Sequence, residues 1–222
     1  MFHVKPNLSL DALIQFLKHQ NIHLSTRQNN QLHIFHSEIL IWSEKMNLIS
    51  SGDKRFLIER HFLPSFYYLH FILNDIQLFG NNILDFGTGA GFPGVILAIG
   101  LPNIKITLLD SSRKKTLFLK NLLNRLGIKF EIICDRIEDI QMEYRSYFDL
   151  IVARAVASVP ILAEKCIPLL KKEGSILTLK GIDYTDELSN DRNLSYCELV
   201  TVNSWITFSN YLYNKRMIKI NK

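Results

Sequence analysis

The sequence predicts an α/β fold: a mostly parallel sheet with helices on both faces, preceded by a helical extension. Three observations lead there. From Asn82 onward short apolar runs alternate with helix-length amphipathic stretches. The run Asn82–Phe86 leads straight into Gly87, Gly89 and Gly91, which reads as strand, tight turn and helix. Ahead of Asn82 the apolar spacing is helical throughout. We therefore expect a helical region over 1–80 and a ligand-binding α/β domain over 81–222.

The extension is read element by element. Leu10, Leu13, Ile14 and Leu17 form one stripe. Ser25 precedes Gln28 by three residues, the spacing of a capping box. After it Leu32, Phe35, Ile39, Trp42 and Met46 recur at steps of three and four, which predicts one amphipathic helix of about six turns with Phe35 and Trp42 in the core. Asn47–Asp53 is turn-rich and should end it. Pro64 should start or kink the next helix. Just before it, Arg60 and His61 form either a solvated pair or part of a ligand cleft.

In the second part, strands are expected near 82–86, 105–110, 129–134, 148–153 and 175–180, and helices near 93–100, 112–127, 157–171 and 184–190. After about residue 195 the rhythm changes. Cys197–Ile206 and Arg216–Ile220 read as two strands with no helix between them, a closing antiparallel pair.

Composition narrows the class. The chain has 222 residues, 47% apolar and 21% charged, as in a globular protein, and lacks an apolar run able to span a bilayer. Met1–Pro6 lacks the apolar core of a signal peptide, so a cytoplasmic location is expected, without a membrane partner, and a monomer is the expected state. Cys134, Cys166 and Cys197 are scattered, and the absence of Cys-x-x-Cys gives no reason to expect a metal site or a disulfide framework. A net charge of +5 permits an anionic partner such as nucleic acid. Arg113, Lys114, Lys115, Lys120, Arg125 and Lys129 form a basic face on one predicted helix, either merely solvated or a grip for RNA backbone.

The glycine turn admits two ligands. Gly89-x-Gly91-x-x-Gly94 with Asp110 downstream satisfies the dinucleotide pattern, which would make the protein an NAD-dependent oxidoreductase. Asp85, two residues before Gly87, fits instead the acid-x-Gly-x-Gly turn of S-adenosylmethionine enzymes. The terminal strand pair is how methyltransferase sheets end and tilts the reading that way. Asp110 would accept both ribose hydroxyl protons. Backbone groups of Ile137 and Glu138, in the loop after the third strand, would read the adenine edge. Arg154 ends the fourth strand, where a cation aimed into the cleft needs an anion or acceptors, and Lys180 is a weaker candidate of the same kind. Asn-Pro-Pro-Tyr, Pro-Cys, Gly-x-Ser-x-Gly and P-loop motifs are all missing, which argues against amine or pyrimidine-C5 methylation, hydrolase and nucleotide-triphosphatase chemistry. A third reading is an RNA-binding module that keeps the fold without turnover; the intact Asp85, Gly87, Gly89, Gly91 and Asp110 speak against it.

Taken together these residues resemble the bacterial 16S rRNA guanine-N7 methyltransferase family, RsmG or GidB. The resemblance rests on Trp42–Ile49, on Glu59–Leu63 with its Arg-His pair, and on Asp85–Gly94 with Gly-Phe-Pro-Gly. Leu108–Ser111, Arg154-Ala155, Leu179–Gly181 and Arg216 follow in order. Pro64 stands where the family has an acid and Phe86 where it has a smaller aliphatic residue. The resemblance implies a Rossmann-like class I methyltransferase fold over 81–222, with S-adenosylmethionine contacts at Gly87, Phe92, Ile137, Glu138 and Arg154. It also implies roles for Arg136, Arg154 and Arg216 toward the RNA or in shaping the site, and a guanine in a decoding-region loop of the small ribosomal subunit as substrate.

Overall fold

The computed structural model describes residues 8–76, 78, 80–181, 197–200 and 210–222. Helices α1 (Leu10–His19), α2 (Thr26–Ser43) and α3 (Ser51–Lys54) come first. A π-helical turn, Ile58–Phe62, runs directly into α4 (Leu63–Asn74). Then follow β1 (Asn82–Phe86), α5 (Gly94–Gly100), β2 (Lys105–Leu109), α6 (Arg113–Leu126), β3 (Glu131–Ile133), β4 (Phe148–Arg154) and α7 (Val159–Cys166). The chain closes with β5 (Leu170–Gly181), β6 (Cys197–Val200), α8 (Asn210–Tyr213) and β7 (Lys215–Asn221).

The seven strands order as β3-β2-β1-β4-β5-β7-β6. β1 to β5 run parallel, and β7 pairs antiparallel with both β5 and β6. The expected antiparallel closure is present, with two differences. The one-turn helix α8 stands between the terminal strands, where none was expected. β5 begins at Leu170 rather than near 175: α7 gives way to a single 3-10 turn, Ile167–Leu169, and Leu170 then pairs with Phe148 across an irregularity in the ladder. The strand reading of 201–206 and the helix reading of 184–190 lie outside the described residues.

Both sheet faces are buried, which is why the central strands are apolar at successive positions. Ile83, Leu108, Leu150, Val152, Leu177 and Met217 face a core shared with α1, α2, α4, α5 and α6. Leu84, Leu109, Ile151, Ile176 and Ile218 face a second core closed by α7, Ile137, Ile140 and Tyr144. The extension therefore packs on one side of the sheet through a single continuous core.

Local signals explain the helices. The capping box at Ser25 and Gln28 forms as expected, and Gln28 Nε2 also donates to the Ile99 carbonyl at 2.7 Å. α2 stops at Ser43, so Met46 lies past its end in the turn-rich stretch. Trp42 packs edge-on to Phe118 of α6 at 5.6 Å and donates to Glu38, whose carboxylate meets Arg125 at 3.1 Å. Pro64 sits in the first turn of α4, and because the π-helical turn runs straight into that helix, its missing N–H leaves the Arg60 carbonyl to accept from Arg154 instead. Gly127, in the left-handed conformation, caps α6.

Candidate functional site

The site lies at the carboxyl ends of β1, β2, β4 and β5 and has two halves. The first is the glycine loop. Gly87, Gly89 and Gly91 all take positive φ, as the sequence predicted. Asp85, fully buried, accepts from the Gly94 N–H at 2.7 Å and ties the end of β1 to the start of α5. Gly94 is needed for that contact: a Cβ there would stand 2.5 Å from Asp85 Oδ2 and 2.2 Å from Leu108 Cδ2. Asp85 Oδ1 and the Thr88 hydroxyl are both buried behind the loop, the hydroxyl near enough to favour the carboxylate without a well-formed hydrogen bond. Burial raises the Asp85 carboxyl to about 6, against the pull of Thr88 and of the Gly94 N–H.

Asp110 closes the other side of the loop. Its Oδ2 accepts from Gly89 N at 2.9 Å and its Oδ1 from Ser112 N at 2.8 Å, while Lys115 Nζ stands 3.8 Å away. Each carboxylate oxygen keeps a second lone pair. A Cβ on Gly89 would meet nothing closer than 3.9 Å, so the space above the loop is open. An open cradle flanked by a carboxylate with spare acceptor capacity fits the adenosyl part of S-adenosylmethionine.

The third strand leads into Arg136, Ile137 and Glu138. Arg136 and Glu138 are exposed, and Glu138 pairs with Lys165. Ile137 turns its side chain into the second core, leaving its backbone for any ligand. Phe92 likewise turns away from the loop. Its ring is packed against Phe35 at 4.8 Å, Phe62 at 5.2 Å and His61 at 5.2 Å. The extension thus plugs into the glycine loop through Phe92.

The second half is a cleft of about 400 Å³ lined by Asp53, Arg60, His61, Arg154, Ala155, Leu179, Tyr211 and Lys215. Arg154 forms its boundary with the first half. One guanidinium nitrogen donates to the Arg60 carbonyl at 2.7 Å and the other to His61 Nδ1 at 2.9 Å, and the group lies 5.7 Å from the Phe92 ring. The Arg-His pair therefore faces the cleft. Burial, and next the Arg154 charge, push the His61 imidazole down to about 4, so it is neutral near pH 7 with its hydrogen on Nε2. Asp53 Oδ2 stands 3.8 Å from that nitrogen, and Asp53 Oδ1 holds Arg60 at 2.6 Å. Burial raises the Asp53 carboxyl, but the Ser50 hydroxyl and Arg60 outweigh it and hold it below its usual value.

Residues without a role in the sequence reading support this half. The Tyr68 hydroxyl, fully buried, donates to the Ala153 carbonyl and accepts from Leu179 N, both at 2.7 Å, locking β4 to β5 below the cleft. The available signal was the Tyr67-Tyr68 pair in the apolar middle of α4. Lys180 donates to the Ala157 carbonyl and pins the turn after β4. Lys215 lines the cleft, whereas Arg216 follows it on β7 and donates to the Lys215 carbonyl at 2.8 Å.

Comparison with known proteins matches residues 28–213 to the GidB family, described as rRNA small subunit methyltransferase G. The chain belongs to the GidB family. It is 38% identical over 189 residues to the ribosomal RNA small subunit methyltransferase G of Thermoanaerobacter sp. (strain X514), covering 84% of this chain and 78% of that one. It is 35% identical over 179 residues to the protein of the same name from Mycoplasma capricolum, covering 80% and 75%. Among solved structures, a Corynebacterium glutamicum protein aligns with a TM-score of 0.57 at 10% identity, covering 96% and 97%. A fibrillarin/Nop5p complex aligns at 0.52 and 16% identity, covering 76% and 84%. These two likenesses concern the fold alone. GidB membership makes the protein an rRNA methyltransferase of the small-subunit class and removes the oxidoreductase reading of the glycine pattern.

Proposed function

We propose that this GidB-family enzyme moves a methyl group from S-adenosylmethionine to N7 of a guanine in a decoding-region loop of 16S rRNA. The observation that carries the reading is the pairing of the open, acid-flanked glycine loop with a cationic cleft across Arg154. S-adenosylmethionine supplies an electrophilic methyl on a sulfonium leaving group. The α/β part, 81–222, holds the donor, and the extension within 1–80 supplies Asp53, Arg60 and His61 to the cleft wall.

The roles follow from position. The backbone at Gly87, Gly89 and Gly91 lets the donor approach closely, and Asp85 fixes the loop's shape from behind. Asp110 accepts the ribose hydroxyls while it holds Gly89. Backbone groups of Ile137 and Glu138 meet the adenine. Phe92 and Arg154 shape the end of the donor site that faces the RNA. Arg136, exposed on its loop, and Arg216 on β7 steady the RNA.

Guanine N7 carries its lone pair in the ring plane without a proton. The reaction therefore needs no general base, and the neutral, Arg154-bound His61 is not asked to be one. The enzyme's contribution is alignment and exclusion of water, and alignment can lower a barrier by about 7–11 kcal/mol. Positive charge grows on the guanine ring, so Asp53 in the cleft is better placed to help than any cation would be. The family's substrate class supports a cytoplasmic enzyme, and we read it as a monomer.

Calorimetric titration with S-adenosylmethionine and, separately, NAD tests the donor assignment. The methyl donor should bind and Asp110→Ala should abolish it; NAD binding alone would overturn the reading. Radiolabelled methyl transfer to small subunits, with the product mapped to guanine N7, tests the reaction. Donor binding without transfer would leave a non-catalytic RNA binder.

A further inference from the structure

We propose that the cleft beside Arg154 is the seat of the target RNA nucleotide, with Tyr211 offering the face on which the base stacks and Lys215 and Arg60 meeting the flanking phosphates. This rests on the methyl-transfer reading above and says where the RNA enters.

The cleft has the charge and the shape for a nucleotide. Arg60, Arg154 and Lys215 converge on the cleft from three separate elements, against the single carboxylate of Asp53 among the lining residues. That carboxylate is already held by Arg60 at 2.6 Å. The surplus is positive, which suits an anion. The volume of about 400 Å³ is in the range that holds one small ligand, not a duplex. The walls also carry an aromatic ring and the apolar side chain of Leu179. Lys215 Nζ stands 5.3 Å from the centre of the Tyr211 ring, so cation and ring are presented together. An aromatic face with cations beside it is how proteins hold an unstacked nucleotide, since every base has a π-face and every linkage a negative charge.

The cleft is also joined to the donor side through the turn after β4. Ala155, the first residue after β4, has φ of 55° and lines the cleft. A non-glycine residue in that conformation is strained and is kept only where the surroundings hold it. Val156 packs so closely on Gly87 that a Cβ there would stand 2.6 Å from Val156 Cγ2. Lys180 pins the same turn through Ala157. One three-residue turn thus touches the donor loop through Val156 and the cleft through Ala155. A base in the cleft lies directly across Arg154 and this turn from a ligand on the glycine loop. Guanine N7 inside an RNA helix faces a groove too narrow for side chains, so the base must be splayed out, and a one-nucleotide cleft is what that requires.

Of the two basic residues that open β7, Lys215 is the one that reaches the cleft. Lys215 and Arg216 are neighbours on β7, paired with Gly181 and Lys180, so their side chains leave opposite faces of the sheet. Lys215 is the one in the cleft wall.

The test uses the full chain, with small subunits as methyl acceptor and calorimetry for the donor. Lys215→Ala and Tyr211→Leu should each raise KM for the subunit about tenfold, with donor Kd within about twofold of wild type. Tyr211→Phe, which keeps the ring, should recover most of the loss seen in Tyr211→Leu. Lys172→Ala removes an exposed charge outside the cleft and should leave KM unchanged. Equal KM values for wild type, Lys215→Ala and Tyr211→Leu, with donor binding intact, would overturn the proposal. So would a KM rise for Lys172→Ala as large as that for Lys215→Ala. If wild type transfers no methyl group at all, the reaction assignment fails first, and the nucleotide assignment falls with it.

Discussion

The two halves of the site are made in different ways. The glycine loop is nearly continuous: Asp85 to Gly94 supplies its turn, its clasp and its Phe92 plug, and Asp110 closes it from the end of β2. The cleft is assembled from Asp53, the Arg60-His61 turn, the end of β4, Leu179 and the Tyr211–Lys215 segment. Both halves nevertheless bury a titratable group whose charged form burial disfavours: Asp85, raised to about 6, in one and His61, lowered to about 4, in the other. The lesson is that a backbone-built ligand site can be encoded in ten consecutive residues, whereas a site built from side-chain charge needs the whole fold to bring its parts together.

The sharpest way to break the loop half is Gly94→Ala. Its Cβ would collide with Asp85 and Leu108 and push the clasp apart. We expect about 3 kcal/mol lost in urea unfolding, together with donor binding. A variant as stable as wild type would show that the clasp is not needed.

The pH response separates the halves. For His61 the folded value lies below the unfolded value of 6.5, so the unfolded chain binds the extra proton as pH falls. The stability it contributes is whole above pH 6.5 and is lost down to about pH 4. Arg154, Arg60 and Asp53 all face it, and the first two oppose its protonation. Asp85 runs the other way: its folded value is raised, so its favourable share is present below 3.8 and lost as pH rises through about 6. We expect the cost of His61→Gln to shrink by about 2 kcal/mol between pH 7 and pH 4. The advantage of Asp85→Asn over wild type should grow over the same range in the opposite direction. Unfolding curves at four pH values check both, and parallel lines for wild type and His61→Gln would show that His61 is not buried neutral.

The smallest effect tests the extension that walls the cleft. Ser25→Ala removes the hydroxyl that caps α2 and should cost about 1 kcal/mol. Donor affinity should be unchanged, since the cap lies far along the chain from both halves. A change in donor affinity would mean that the extension transmits its stability to the loop.

Much of this was legible beforehand because the signals are local. The capping box at Ser25, the positive φ of Gly87, Gly89 and Gly91 and the place of Pro64 in the first turn of α4 each depend on a few neighbouring residues. The α/β rhythm was legible because a buried parallel strand and an amphipathic helix repeat at different periods. The start of β5 was not, since Leu170 is a strand residue only because Phe148 lies beside it. Neither was α8, a single turn too short to show a period.

By itself, then, the sequence determined the alternation of strands and helices from β1 to β5, the antiparallel close, the glycine turn and the two acids that flank it, because backbone conformation follows from nearby side chains. Only the tertiary structure decided that Phe92 faces the extension, that His61 and the Arg60 carbonyl hold Arg154, and that Lys215 joins Tyr211 in the cleft wall. The physical reason is distance along the chain. Partners some 90 residues apart, such as Arg154 and His61, leave no periodic trace; they meet because burying the apolar faces of the helices and the sheet leaves one arrangement in which their polar groups are satisfied.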